Sequence, residues 1–154
     1  MLIIGIDPGV NNGVASYRNG MLFSLDTYTI AELIDELKIL QFCNCKVVIE
    51  DSRLQSHLFT GSESKRSAAL KIARDVGGVD MICRIIDQLA EENNIDIIGI
   101  SPKSKGKKLG AEEFKKITGW TKQSNQHERD AAMVAWRFRN AKLTRKKKFD
   151  AGVN

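Results

Sequence analysis

Leu2-Ile3-Ile4-Gly5-Ile6 is a short apolar run that stops at Asp7, and Pro8-Gly9 and Asn11-Asn12-Gly13 follow at once. An apolar stretch of this length, closed by turn residues, reads as a buried central strand, a tight turn and a second strand. Asp7 takes the last strand position. A carboxylate at the end of a buried strand loses hydration, and a cation must compensate for it. A metal ion is the most economical candidate, so the chain is read as a sheet built around that strand end.

The 154 residues, 42% of them hydrophobic, suffice for one α/β core. One domain is expected over 1–141, with a basic tail over 142–154. No apolar run reaches membrane-spanning length, and no basic region leads into a long apolar one at the N-terminus. The expectation is a cytoplasmic protein with no membrane partner. The net charge of +5 favours a polyanionic partner. Cys43, Cys45 and Cys83 are sparse and odd in number, which suggests reduced thiols, and they lack the paired spacing of a zinc site.

Gly13 to Tyr17 reads as a second strand, Arg18-Asn19-Gly20 as a hairpin turn, and Met21 to Tyr28 as a third strand. Thr29 can cap a helix whose apolar stripe is Leu33, Ile34, Leu37 and Leu40. Lys46 to Ile49 is another apolar strand, and it too ends in acid, at Glu50-Asp51. Ser52 to Ser64 is polar and aperiodic and reads as a loop at the mouth of the site. Helical spacing runs from Lys65 to about Asn93, with a kink or break expected at Gly77-Gly78. This helix carries a second apolar strip, Val79, Cys83 and Ala90. That strip either covers a partner subunit or lies under loops. Ile95 to Ile100 is a fifth strand, followed by a basic loop, Lys103 to Lys108. Ala111 to Thr118 is a short helix using Phe114 and Ile117. A last helix starts near Gln126 with Ala131, Val134, Ala135 and Phe138 on one face.

The chemistry-bearing residues are those at the strand ends and on this last helix. Asp7 and Glu50 end different strands, and neighbouring strands would bring both to one sheet edge. His127 and Asp130 share a helix face. The apolar side of that helix must pack on the sheet, which carries its polar N-terminus toward the strand ends. Hard, anionic oxygen ligands of this kind suit Mg²⁺, with Mn²⁺ able to substitute. Two such ions ~3.5–4 Å apart can hold both the attacking and the leaving oxygen of a phosphodiester displacement.

Strand–GIDPGVNNG–strand, strand–VVIEDS and HERDAAMVAW on the last helix resemble the RuvC-type Holliday junction resolvases, in particular the compact viral members, across nearly the whole chain. The resemblance implies an α/β, RNase H-like fold, with a mixed five-stranded sheet and helices on both faces. It implies a metal-dependent endonuclease, with a metal-binding catalytic quartet at Asp7, Glu50, His127 and Asp130 and two ions per site. It also implies a homodimer acting on four-way junctions and other branched DNA, leaving 5′-phosphate and 3′-hydroxyl ends. The location would be the host cytoplasm if the source is viral. Many bacterial members carry an aromatic residue just after the strand-terminal Glu. Here Asp51, Ser52, Arg53 and Leu54 follow, and Phe59 lies further on.

Lys103, Lys105, Lys107 and Lys108 follow a central strand, which favours phosphate contact over a merely solvated loop. Arg53, Lys65 and Arg66 extend the same surface. Asp51 reads as a solvated neighbour in preference to a support behind the site, Glu128 as a surface residue pointing away from the apolar stripe, and His57 as an ordinary exposed histidine. The alternatives in view are another RNase H-like nuclease, acting on RNA–DNA hybrids or flaps, and a non-catalytic protein that binds branched DNA. An actin-like phosphotransferase shares the Asp-x-Gly turn, but the chain is short for its two domains.

Overall fold

The computed structural model describes residues 1–55 and 66–141. His57, Phe59 and Lys65, the side chain of Arg66 and the basic tail over 142–154 lie outside the described residues.

Five strands form one mixed sheet: β1 (Leu2–Asp7), β2 (Asn12–Arg18), β3 (Met21–Tyr28), β4 (Cys45–Glu50) and β5 (Asp96–Ile100), in the order β3-β2-β1-β4-β5. The first three are an antiparallel meander, turned by Asn19 and Gly20 at positive φ. β1–β4 and β4–β5 are parallel. Parallel strands need crossover connections, and helices supply them. These are α1 (Ile30–Leu40) between β3 and β4, and α2 (Arg66–Glu92) between β4 and β5. α3 (Pro102–Lys105), α4 (Ala111–Thr118) and α5 (Gln126–Ala135) follow β5.

Alternation along the strands makes two cores. Ile4, Ile6, Val47 and Ile49 point to one face and pack with Leu33, Leu37 and Leu40 of α1 and Ile86 and Ala90 of α2. Ile3, Ala15, Tyr17 and Val48 point to the other, under Phe114 of α4 and Ala131, Ala132, Val134 and Ala135 of α5. Helices therefore cover both faces, as the parallel half of the sheet requires. α1 starts at Thr29, the cap its sequence predicts, and the structure adds a full capping box with Glu32.

Two glycines set how closely α5 approaches. A Cβ on Gly5 would meet the Ala131 carbonyl and the Ala135 side chain, and one on Gly13 would overlap the His127 carbonyl. Gly13 is also the cross-strand partner of Asp7. The missing side chains let the helix lie directly on β1 and β2, with its first turn over the Asp7 end. Tyr17 ties it down by donating its hydroxyl to the Ala132 carbonyl at 2.9 Å.

Three expectations need correction. α2 runs unbroken through Gly77-Gly78. Each glycine weakens a helix by ~1 kcal/mol but keeps its N–H. Both face open space, and the buried Cys83, Ile86 and Ala90 hold the segment to the sheet. Cys83 and Ala90 of the second strip are covered within the chain, and Cys83 lies 3.7 Å from the Glu50 carbonyl. The apolar side chains that α2 does expose include Leu70, Ile72 and Met81. In α4 only Phe114 is buried, whereas Ile117 faces outward. No helix among the described residues is long and apolar enough to cross a membrane.

We expect Gly5→Ala to lower stability by about 1–3 kcal/mol in urea denaturation, because the added methyl must push α5 off the sheet. A loss within ~0.5 kcal/mol, the range of an ordinary surface change, would mean the helix does not approach this closely.

Candidate active site

The register places the acids. β1 and β4 run parallel with Ile6 beside Ile49, so Asp7 and Glu50 leave the sheet at the same edge. Alternation puts both on the α5 face, since Ile6 and Ile49 point to the other core. Asp130, one turn into α5, reaches the same place and is 4% exposed. The α5 N-terminus is fixed by a capping box between Asn125 and Glu128, and Thr27 of β3 donates to Glu128 Oε1 at 3.2 Å. Glu128 is thus both a partner of the cap and a cross-link to β3. Gln126 donates to Asp130 Oδ1 at 2.8 Å and accepts from Arg129 at 3.0 Å, which fixes the orientation of the acid.

The centre of this cluster holds a side chain that the sequence reading put elsewhere. Lys105 reads as part of a DNA-facing loop. Instead, Pro102–Lys105 forms one helical turn, ended by Gly106 at φ 89, and it turns Lys105 inward. Its Nζ lies 2.5 Å from Glu50 Oε2, 3.3 Å from Asp7 Oδ1 and 3.5 Å from Asp130 Oδ2, with the side chain only 8% exposed. Three converging carboxylates attract the nearest available cation, and periodicity could not have revealed which lysine that is. Burial works to lower the Lys105 pKa, but the hydrogen bond to Glu50 and the charges of Asp7, Glu50 and Asp130 outweigh it and hold it above its usual value. Burial pushes the Glu50 carboxyl up, helped by Asp7 and Asp130 and opposed by Lys105. Glu50 Oε2 is buried and accepts no well-aligned hydrogen bond, so the 2.5 Å approach of Lys105 satisfies its charge without the directionality.

His127 stands at the rim. Its Nδ1 is 3.4 Å from Asp7 Oδ2, and its side chain is about half exposed. It touches one member of the cluster and leaves the rest of the ring toward solvent. The structure therefore brings Asp7, Glu50, Asp130 and His127 together.

It does not bring Arg53 to a free surface. The Arg53 guanidinium pairs with both oxygens of Asp51 at 2.7 Å and also with Asp87 of α2. A guanidinium bound to two carboxylates has little left to offer a phosphate. Asp51 is buried, not solvated, and the Arg53 hydrogen bond holds its carboxyl below the usual aspartate range. Ser52 donates to Asp80 of α2 at 2.6 Å. This network anchors the chain just after Glu50. Lys103, Lys107 and Lys108 remain exposed, Lys107 in a surface pair with Glu113 at 2.8 Å.

The donor set suits a hard divalent cation: three carboxylates, with an imidazole at the rim. Among the described residues, no three acidic, histidine or cysteine side chains are spaced to hold one ion as they stand. The oxygens of Asp7, Glu50 and Asp130 instead surround the Lys105 ammonium at 2.5–3.5 Å. The residues fit the ion in kind, by the chemistry of their donors.

No family model and no curated protein sequence matches the chain. Solved structures do. One is Thermus thermophilus RuvC in complex with a Holliday junction substrate, at 16% identity, with 88% of this chain and 90% of that chain covered and a TM-score of 0.58. Another is a Thermus thermophilus RuvC structure at 14% identity, covering 88% and 92%, with a TM-score of 0.54. The chain has the RuvC-like, RNase H-like fold over most of its length.

The Asp51–Arg53 pair predicts a specific acid sensitivity. A carboxyl whose folded pKa is depressed stabilises the fold above its unfolded pKa, and that contribution is lost as pH falls through the folded value. Asp51→Asn should cost about 1–3 kcal/mol near neutral pH, with the difference from wild type shrinking below pH ~4. Urea unfolding across pH checks this. A constant difference down to the lowest pH would mean that Asp51 is not held ionised by Arg53.

Proposed function

We propose that the protein is a divalent-metal-dependent endonuclease that cuts four-way DNA junctions and other branched DNA. One observation supports this most: three carboxylates from β1, β4 and α5 converge at one sheet edge, on a fold shared with a protein solved on a Holliday junction.

In this reading Asp7, Glu50 and Asp130 hold Mg²⁺ or Mn²⁺, with His127 beside Asp7 available to a second ion. Bound there, the ions supply Lewis-acid stabilisation of the phosphodiester and make water a competent nucleophile near neutral pH. The protein supplies the rest. Gln126 fixes Asp130, the glycine-backed contact of α5 fixes the rim, and the Asp51–Arg53–Asp87 network fixes the backbone after Glu50. The exposed half of the His127 ring is where a proton from incoming water can be received. Lys103, Lys107 and Lys108 lie on the segment that leads out of the site. They position the backbone by phosphate contact and do not read sequence.

Two copies acting together explain paired cuts on a four-way junction, because two-fold symmetry in the enzyme matches two-fold symmetry in the substrate. Leu70 and Met81, about three helical turns apart on one side of α2, are exposed and available to such a contact.

Asp7→Asn should keep junction binding while cleavage falls by more than the ~100-fold that loss of even an outer partner of a metal ligand can cause. A strand-resolved assay on an immobile junction, a flap, a linear duplex and an RNA–DNA hybrid, with Mg²⁺, checks both role and substrate. Wild-type cleavage of the hybrid alone, or full activity in the mutant, would contradict the proposal. Changing Lys103, Lys107 and Lys108 to Gln should weaken binding and reduce the salt slope by up to ~2.7, at ~0.9 per phosphate contact. An unchanged slope would remove these lysines from the interface.

A further inference from the structure

Lys105 is an odd companion for a metal site. It donates to Asp7 Oδ1 at 3.3 Å, and its Nζ is also within 2.5–3.5 Å of Glu50 and Asp130. These are the oxygens a divalent cation would use. One ammonium against three carboxylates leaves two negative charges without a cationic partner in the cluster when all are ionised. The pocket therefore favours a cation of higher charge. Both cations cannot occupy it, since they would compete for the same oxygens at a separation where like charges repel strongly.

The segment carrying Lys105 is built to yield. α3 is a single turn with no side-chain hydrogen bond at its cap. Gly106 follows at φ 89, and nothing lies within 4 Å of where its Cβ would be. The neighbouring Lys103, Ser104, Lys107 and Lys108 are exposed. By contrast, Asp7 and Glu50 end strands paired on both sides, and Asp130 is held by Gln126. When a divalent ion enters, the lysine is the partner that can move.

We infer that Lys105 is the resident counter-cation of the carboxylate cage, exchanged for the divalent metal on loading. Without metal it keeps three carboxylates together that would otherwise repel. On loading it is expelled toward the mouth of the cage. An anionic phosphate arriving there gives the expelled ammonium a new partner. Metal affinity should therefore rise when DNA is bound. The inference rests on the metal-cage part of the proposed function and not on the cleavage reaction.

Calorimetric titration with Mn²⁺ tests it in wild type and in Lys105→Met, which keeps the bulk and removes the charge. Lys105→Met should bind Mn²⁺ ~10-fold or more tightly than wild type, and should lose thermal stability in EDTA that Mn²⁺ restores. Equal or weaker Mn²⁺ binding by the variant overturns the exchange. Binding by neither protein overturns the cage itself. If the variant does not fold, wild type suffices: in lysine-labelled protein, the Lys105 ammonium resonance should be protected in EDTA and should become solvent-exchanging on Mg²⁺ addition. A resonance that stays protected at saturating Mg²⁺ overturns the inference. A protein that passes these tests yet cuts no branched DNA loses the nuclease reading and keeps this one.

Discussion

Three carboxylates gathered around one point, with side chains only 5–18% exposed, repel each other and lack hydration. Such a cluster persists only with a cation inside it. Here that cation is the Lys105 ammonium, and its position explains much of the local structure. α3 is one turn long, and Gly106 stops it as it turns the lysine inward. Glu50 is pushed toward its neutral form by burial while Lys105 pulls it back. The convergence of these three acids at one sheet edge is the physical basis of the functional proposal.

The sheet makes the cluster possible. Parallel pairing of β1 with β4 brings two strand ends to the same edge, and side-chain alternation sends both acids to the same face. α5 must then lie close enough to add Asp130. Gly5 and Gly13 permit this by leaving room for the helix backbone against the sheet. Two positions with no side chain thus determine where Asp130 sits. The Asp51–Arg53–Asp87 network does the corresponding work on the other side, holding the chain after β4 against α2.

Much of this was legible in the residues. Apolar runs ended by turn signals located the strands, and acid at two strand ends located the site. The His-x-x-Asp spacing on the last helix pointed to its third contributor. What sequence could not show was how charges pair in space. Arg53 and Lys105 both sit in polar, aperiodic stretches that resemble a DNA-facing surface. In each case buried carboxylates nearby draw the charge inward: Asp51 for Arg53, and the cluster for Lys105. Asp51 itself looked solvated because it lies just past the end of β4, where the chain enters a short 3₁₀ turn and neither helix nor strand periodicity assigns it a face. Gly77-Gly78 misled in the opposite sense. Local propensity argued for a break, and the packing of Cys83, Ile86 and Ala90 overrode it.

The account turns on whether the carboxylate cage takes a divalent cation at the point now filled by an ammonium. Diffraction from crystals soaked in Mn²⁺, with data collected at the manganese absorption edge, reads this directly. The account predicts an anomalous peak bounded by Asp7, Glu50 and Asp130, with the Lys105 side chain displaced from its present position. An anomalous map with no peak there at saturating Mn²⁺, and Lys105 still seated among the three acids, would contradict it.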